Sequence, residues 1–505
     1  MTAHEDIAII PAPHRLRRLT GAFTLTNSTK ILTEPENEAL ADIGKRLADK
    51  LNASTGFQIV SDTSSQPEAP KGTIFITTKS EKTIGGKEGY TLEVLPKAIT
   101  INATTAAGIS HAVQTLRQLF PPEIESARPV DRPVPWTAPA VRVEDEPRFE
   151  WRGLLFDSCR HFSGKDFIFK TLDLLAYHKL NRFHWHLTDD QGWRIEIERY
   201  PRLTEIGAYR ANSDGRRYGG YYTKDDVREV VAYAADRGIL IVPEIEMPGH
   251  CVAALASYPD LSCTGRSIPV ASEWGVFEDV FCAGNDKVFE FLGAVLAEVA
   301  ELFPGPYIHI GGDEVPLNRW KECALCRTRI EDEDLKSVGN LHCYFVNRVE
   351  QILATLDRRP IGWDEILCDD LPPAAMVQAW RGMDHAAKSA RLGHPTIVSP
   401  TSHVYFDYGL DKIDLAKVYE FDPIPKKLPP MATSRILGGE CAMWTEHAPR
   451  DRIESKLYPR IVALAERLWS PSGKLSYEDF HRRLQTHYQR LELLGVEYGS
   501  ESATQ

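Results

Sequence analysis

No apolar run in this chain approaches the roughly 20 residues that a helix needs to cross a bilayer, which excludes a membrane-spanning role. The opening residues, MTAHEDIAIIPAPHRL, lack the basic n-region and apolar h-region of a secretory leader. As given, the chain is expected to be soluble and cytoplasmic, or secreted if a leader was trimmed. A basic face is also missing. The formal net charge is −12 and Lys and Arg are scattered among acidic residues, so nucleic acid, whose phosphates demand clustered cations, is excluded as a partner. Repeats and low-complexity stretches are absent.

Cysteine is sparse and odd in number: nine residues, so at least one thiol is free or pairs with another chain. That excludes a disulfide-dense secreted scaffold. Cys263 and Cys282 flank one loop and read either as a bridge, in an oxidising compartment, or as two thiols. Cys323 and Cys326 form a single C-x-x-C. A structural zinc site typically takes four Cys or His ligands, and no second pair or H-x3-H lies nearby, so neither metal nor cofactor is expected.

What is present is a globular chain. Its 505 residues, 43% hydrophobic and 26% charged, suffice for a (β/α)8 barrel of about 250 residues and a smaller companion. Residues 1–120 read as an α+β domain. Strand-like runs lie at 72–78, 90–95 and 98–105, the last two joined as a hairpin. Helical spacing of Leu40, Ile43, Leu47 and Leu51 predicts one helix, and that of Ile109, Val113, Leu116 and Phe120 predicts another, stopped by Pro121. Seven prolines between Pro121 and Pro147 make 121–149 a candidate linker without regular structure.

From residue 150 to 475, strand-like runs alternate with helical ones at 166–179, 223–237, 287–303 and 339–357, the pattern of a parallel sheet. The candidate strands are 153–158, 182–187, 239–247, 307–312, 360–365, 376–380, 395–400 and 436–446, which predicts a closed TIM barrel. A C-terminal helix and tail follow at 476–505. In such barrels the active site forms at the carboxyl ends of the strands. Those ends carry Arg160 and His161, Asp189 and Asp190, Glu244, Glu246 and His250, Asp313 and Glu314, Trp363, Asp364 and Glu365, Trp380, Tyr405 and Asp407, and Trp444 and Glu446. Indole faces stack on the C–H faces of pyranose rings while carboxylates and Arg bond hydroxyls, so the collection points to a sugar.

The segments RGLLFDSCRHF (152–162), NRFHWHLTDDQGWR (181–194), PEIEMPGH (243–250), HIGGDE (309–314) and GGECAMWTE (438–446) together resemble the catalytic domain of glycoside hydrolase family 20, the β-N-acetylhexosaminidases. The likeness runs from about 150 to 470, and residues 1–120 resemble, more weakly, the family's amino-terminal domain. Conventional glycosidases flank the bond with two carboxyl groups about 5–9.5 Å apart, which neighbours on one strand end do not easily do. The resemblance implies substrate assistance instead: the 2-acetamido oxygen attacks, and the protein supplies one acid/base and one carboxylate to hold the acetamide.

By that resemblance Glu314 is the general acid/base, expected to have a raised pKa in an apolar surround, and Asp313 orients the acetamide N–H. Tyr405 donates to the acetamide oxygen, and Trp363, Trp380 and Trp444 wall its methyl group. Arg160 and Glu446 clamp the 3- and 4-hydroxyls, and Asp407 meets the 6-hydroxyl. Asp189 and His250 tune charge beside Arg160 and Glu314. The expected partner is an oligosaccharide or glycoconjugate, with terminal N-acetylglucosamine or N-acetylgalactosamine removed. Asp190, Glu244, Glu246, Asp364 and Glu365 read as structural acids at the barrel mouth and stay outside the site. The plain reading of Arg160 is a salt bridge to Asp157, and that of GGYYTKDD (219–226) a helix entry capped by Thr223. Phe421 stands where relatives tend to carry Trp near the leaving-group side. Two other functions compete: glycan binding on an inactive barrel, and a conventional two-carboxylate glycosidase.

Overall fold

The computed structural model describes residues 7–66, 68–79, 85–212, 215–474 and 476–503; the first six residues of the segment read for a leader lie outside these. The amino-terminal domain is a seven-stranded mixed sheet in the order Arg15–Thr24, Thr137–Asp145, Tyr90–Leu95, Ala98–Ala103, Thr73–Thr77, Lys30–Thr33, Val60–Thr63. The helices Glu38–Thr55 and Ala106–Leu119 bring the stripes read from the sequence, Leu40 to Leu51 and Ile109 to Leu116, into one core with Ile74, Ile76, Leu92, Val94, Ile99 and Ile101.

The proline-rich stretch is not a bare linker. Its second half, Thr137–Asp145, is a strand inside the sheet, antiparallel to both Arg15–Thr24 and Tyr90–Leu95. Proline is tolerated because Pro139 lies beyond the end of pairing with Tyr90–Leu95 and beside a bulge between Arg18 and Ala22, so few ladder bonds need its missing N–H. Alternation then reasserts itself, with Val141 and Val143 fully buried. The strands Arg15–Thr24 and Val60–Thr63 escaped sequence reading because their side chains are largely polar or exposed, and Lys30–Thr33 because its apolar run is only Ile31 and Leu32.

The second domain is a closed parallel barrel whose eight strands all fall on the predicted runs: Trp151–Asp157, Arg182–His186, Leu240–Glu244, Tyr307–His309, Arg359–Trp363, Met376–Ala379, Thr396–Val398 and Ile436–Met443. The eighth strand closes on the first, Gly438 opposite Trp151 through Met443 opposite Phe156. A small apolar plug of Trp151, Val242, Ile361, Met376 and Ile397 forms part of its interior. The predicted helices appear as Lys165–Tyr177, Lys224–Ala235, Asp286–Leu302 and Asn340–Thr355. Thr223 caps the second of these in a reciprocal capping box with Asp226, the plain reading of that loop. The carboxyl-terminal helix is Tyr477–Leu493. Among the described residues no helix is long and apolar enough to cross a membrane. Cys343 and Cys368, 25 residues apart and not singled out by spacing, form a disulfide, while Cys263 and Cys282 are unbridged.

The domains meet at Asp145, the last residue of the proline-rich segment's strand. Its carboxylate accepts from Lys179 Nζ (2.9 Å), Tyr90 Oη (2.6 Å) and the indole of Trp469 (3.0 Å), and the Lys179–Asp145 pair is fully buried. Removing one member of a buried ion pair strands the other charge, at a cost of about 3–5 kcal/mol. Asp145→Ala should therefore destabilise the chain by about that much, read from the midpoint of denaturant unfolding followed by tryptophan fluorescence. A midpoint equal to that of the unaltered protein would show that the pair does not anchor the domains.

Candidate active site

Above the apolar plug, the barrel axis is filled with charge rather than with hydrocarbon. Glu440 accepts from the indole of Trp151, from Gln378 Nε2 and from His184 Nδ1, each at 2.8 Å. The other ring nitrogen of His184 lies 3.1 Å from Glu244, which also accepts from the indole of Trp363 (3.0 Å) and bonds His186 Nδ1. His186 Nε2 meets Asp189 Oδ2 at 2.8 Å, and the same oxygen lies 2.7 Å from Arg160 Nη2. Asp189 and Asp190 then flank His250 Nδ1 at 3.3 and 3.1 Å, and His250 Nε2 stands 3.6 Å from Asp313 and 3.4 Å from Glu314. An alternating row of carboxylates and cationic rings thus runs from the barrel interior to the strand-four carboxylates.

At its upper end lies a cavity of about 190 Å³ lined by Arg160, Asp189, His250, Asp313, Glu314, Trp363, Trp380, Tyr405, Asp407, Trp444 and Glu446. Every residue to which the family resemblance gave a role lines it. Sites enclosing drug-sized ligands run to roughly 300–1,000 Å³, so this one suits a single sugar ring. Two lining residues were not foreseen: Glu246 and Tyr408. Glu246, set aside as structural, lies two positions after Glu244, and period-two alternation sends both to the same side of the strand. That signal was in the sequence. Tyr408 follows from a loop path and had none. Of the other acids set aside, Asp190 bonds His250 and the Val252 N–H, Asp364 accepts from the Trp380 N–H at 3.0 Å, and Glu365 accepts from the Trp380 indole at 3.0 Å, so they position lining residues.

The backbone is bent to make this arrangement. His250 and Glu314 are both held in the left-handed region, at φ 48° and 49°, which non-glycine residues seldom adopt and which concentrates at functional sites. Gly311 precedes Glu314 at φ 64°, and a Cβ there would sit 1.6 Å from Glu246 Oε2, so the Gly-Gly turn clears space for that carboxylate. Trp363 lies 6.0 Å from Trp444, and Trp380 stacks on Tyr405 at 6.2 Å. Arg160 sits over Trp444 while also meeting Asp157 at 3.4 Å, so the salt bridge read from the sequence is present on a side chain that also lines the cavity. Phe421, by contrast, is buried in the core against His403 and does not line the cavity.

Electrostatics separate the two acids. Burial pushes Asp313 up to about 6, against the pull of His250. Glu314 departs from expectation: the hydrogen bond from His250 holds it below the ordinary glutamate value and outweighs burial, because its side chain is 40% exposed. His250 itself is raised, since the Asp189 and Asp313 carboxylates overcome its burial. Burial also lifts Asp407 to about 7. Three carboxylate oxygens of lining residues, Asp313 Oδ1, Asp407 Oδ1 and Glu246 Oε2, are buried with no hydrogen-bond partner. Each such acceptor costs about 1–3 kcal/mol, which a ligand bearing N–H and O–H groups would relieve.

A polar, aromatic-walled, ring-sized cavity at the carboxyl end of a TIM barrel, with adjacent acids at its centre, defines a carbohydrate-active site. The ancestry agrees. A family model described as "Glycosyl hydrolase family 20, catalytic domain" matches residues 149–472, and one described as "Glycosyl hydrolase family 20, domain 2" matches residues 6–146. The chain belongs to glycosyl hydrolase family 20, and is a glycoside hydrolase of the β-N-acetylhexosaminidase type. A β-hexosaminidase of Porphyromonas gingivalis is 42% identical over 98% of this chain, which spans only 64% of that relative's length. A β-N-acetylhexosaminidase of Cellulomonas fimi is 33% identical, covering 95% of this chain and 94% of its own. Among solved structures, the family 20 β-N-acetylhexosaminidase of Streptomyces coelicolor A3(2) superposes with TM-score 0.86 at 32% identity over 97% of both chains. The exo-β-N-acetylglucosaminidase of Vibrio harveyi in complex with N-acetylglucosamine does so with TM-score 0.86 at 31% identity, covering 98% of this chain and 78% of its own.

The buried row of charges makes stability pH-dependent. Burial alone would depress His184, but Glu244 and Glu440 on either side raise it to about 9. A histidine whose folded pKa is raised contributes stability that is complete below its unfolded value near 6.5 and is lost as pH climbs through about 9. The urea midpoint should therefore fall between neutral pH and about pH 10, and fall less in His184→Gln. Equal slopes in the two proteins would contradict this account.

Proposed function

We propose that this chain is a retaining exo-β-N-acetylhexosaminidase that removes terminal non-reducing N-acetylglucosamine or N-acetylgalactosamine from oligosaccharides and glycoconjugates, with the substrate's own acetamide as nucleophile. The observation that carries the proposal is Asp313 Oδ1, a buried acceptor without a partner, beside Glu314 and among Trp363, Trp380, Trp444 and Tyr405. An acetamide N–H would satisfy it. The carbonyl oxygen of that acetamide then faces C1, with Tyr405 donating to it and the indoles enclosing its methyl group. A cavity the size of one ring supports removal of terminal sugars rather than cleavage within a chain.

The chemistry follows in two displacements. Glu314 gives a proton to the glycosidic oxygen as the acetamide oxygen bonds to C1, so the leaving alcohol departs and an oxazolinium ion remains. Ionised Asp313 stabilises the positive charge on that ring. Glu314, now a carboxylate, takes a proton from water attacking C1, which breaks the C1–oxazoline bond and restores the β configuration. Arg160 and Glu446 hold the 3- and 4-hydroxyls, and Asp407 the 6-hydroxyl. The lowered pKa of Glu314 has a place in this scheme: in the free protein the proton rests on His250 at 3.4 Å, and substrate, by displacing water from the exposed carboxylate, favours its transfer to Glu314.

Aryl β-N-acetylglucosaminide should be hydrolysed with retained configuration, read by NMR of the first-formed anomer. Glu314→Gln should lower kcat by about 10²–10⁴-fold, most for poor leaving groups that need the proton, and Asp313→Asn by about 10²–10³-fold. Thiazoline mimics of the bicyclic intermediate should inhibit. Turnover close to that of the unaltered protein in either variant refutes the assignment. No turnover at all points to glycan binding on an inactive barrel, and turnover immune to thiazoline points to a conventional carboxylate pair.

A further inference from the structure

Outside the active site, four thiols from two distant segments converge. Cys263 and Cys282 lie on the long loop after the third barrel strand, as diagonal neighbours on one face of the antiparallel bridge between Ser262 and Phe281. Cys323 joins the helices Asn318–Glu322 and Ala324–Asp332, and Cys326 lies in the first turn of the second, in the segment that follows Asp313 and Glu314. The sequence offered only the C-x-x-C pair; the fold supplies the other two ligands from some 40–60 residues upstream, as the separations of 41 and 63 residues record. The four Sγ atoms all lie within 4.8 Å of one another.

We infer that these four cysteines form a structural zinc site. Zinc–thiolate bonds of about 2.3 Å in a tetrahedron require sulfurs about 3.8 Å apart. The observed separations are 3.8 Å for Cys263–Cys326 and 3.7 Å for Cys282–Cys323 and Cys282–Cys326. A disulfide would bring a pair to about 2.05 Å, as it does for Cys343 and Cys368 at 2.06 Å, whereas these four are unbridged. Four thiols within 4.8 Å of one another, with no His or carboxylate among them, match the ligand set of a closed structural site, lacking the open position that metal-assisted catalysis needs.

The surroundings are built to hold the two segments together. Three of the four thiols are buried and Cys263 is half-buried. Gly284 packs its backbone against the C-x-x-C turn so closely that a Cβ would sit 2.2 Å from the Leu325 carbonyl carbon. The indole of Trp320 donates to the Phe281 carbonyl (2.9 Å), and Arg319 reaches Asp279 (2.9 Å). The loop so clamped touches the sugar site: the Glu273 carbonyl accepts from Gln191, whose Oε1 accepts from Arg160, and Trp274 packs against His161. The metal would thus fix the rim on which Arg160 rests without touching substrate.

Protein purified without chelator should carry about one zinc per chain by inductively coupled plasma mass spectrometry, and Cys323→Ser and Cys282→Ser should each lose it while Cys441→Ser keeps it. Cobalt exchanged into the site should show the d–d and thiolate charge-transfer absorption of a tetrahedral sulfur-ligated ion. Stripping zinc with a strong chelator should lower the melting temperature. The unaltered protein decides the matter even if the variants fold poorly. Iron in place of zinc, a metal-free protein whose seven unbridged thiols all alkylate after denaturation, or a peptide map with disulfides among the four would each overturn the assignment.

Discussion

The constraint on which this molecule depends is the burial of charge along the barrel axis. Glu440, Glu244 and Asp189 are carboxylates without solvent, and each persists only because a histidine or arginine stands against it. An isolated buried carboxylate would cost several kcal/mol and would neutralise instead. Alternation is what makes the row tolerable: Glu440, His184, Glu244, His186, Asp189 and then Arg160 and His250 take opposite signs in turn. The row ends at the cavity, so the polarity that the barrel must stabilise internally also sets the charge around Asp313 and Glu314.

Those two residues are neighbours in sequence but not in environment. Asp313 is enclosed and its carboxyl is lifted; Glu314 stands at the rim, half in water, and leans on His250. One strand end yields two acids of different character because burial differs between them, Asp313 with a side chain 14% exposed and Glu314 with one 40% exposed, although both reach His250 Nε2.

The remaining architecture keeps this mouth in shape. The amino-terminal sheet is locked to the barrel through Asp145, Lys179 and Trp469, at a distance from the cavity. The cysteine cluster ties the loop after the third strand to the segment after the fourth, on the rim itself. Both ties join segments far apart in the chain, the arrangement that restrains a long loop most effectively.

Much of this was legible in the chain. Eight β-branched and aromatic runs spaced by amphipathic stretches determine a parallel barrel, because strand and helix periods differ and short connections leave few other topologies. Reactive residues at the ends of those runs determine where the site lies and what it is made of, because a parallel barrel sends all its strand ends to one face. The fold alone decided the rest. It enlisted the proline-rich stretch into a sheet, since a bulge in the neighbouring strand removed the need for the missing N–H. It lowered Glu314 where an apolar surround was expected, since acidity depends on which side chains stand within a few ångströms, and His250 lies 64 residues away. It assembled four cysteines where the sequence showed two, since proximity of sulfur to sulfur is a property of the packed loops and not of spacing along the chain.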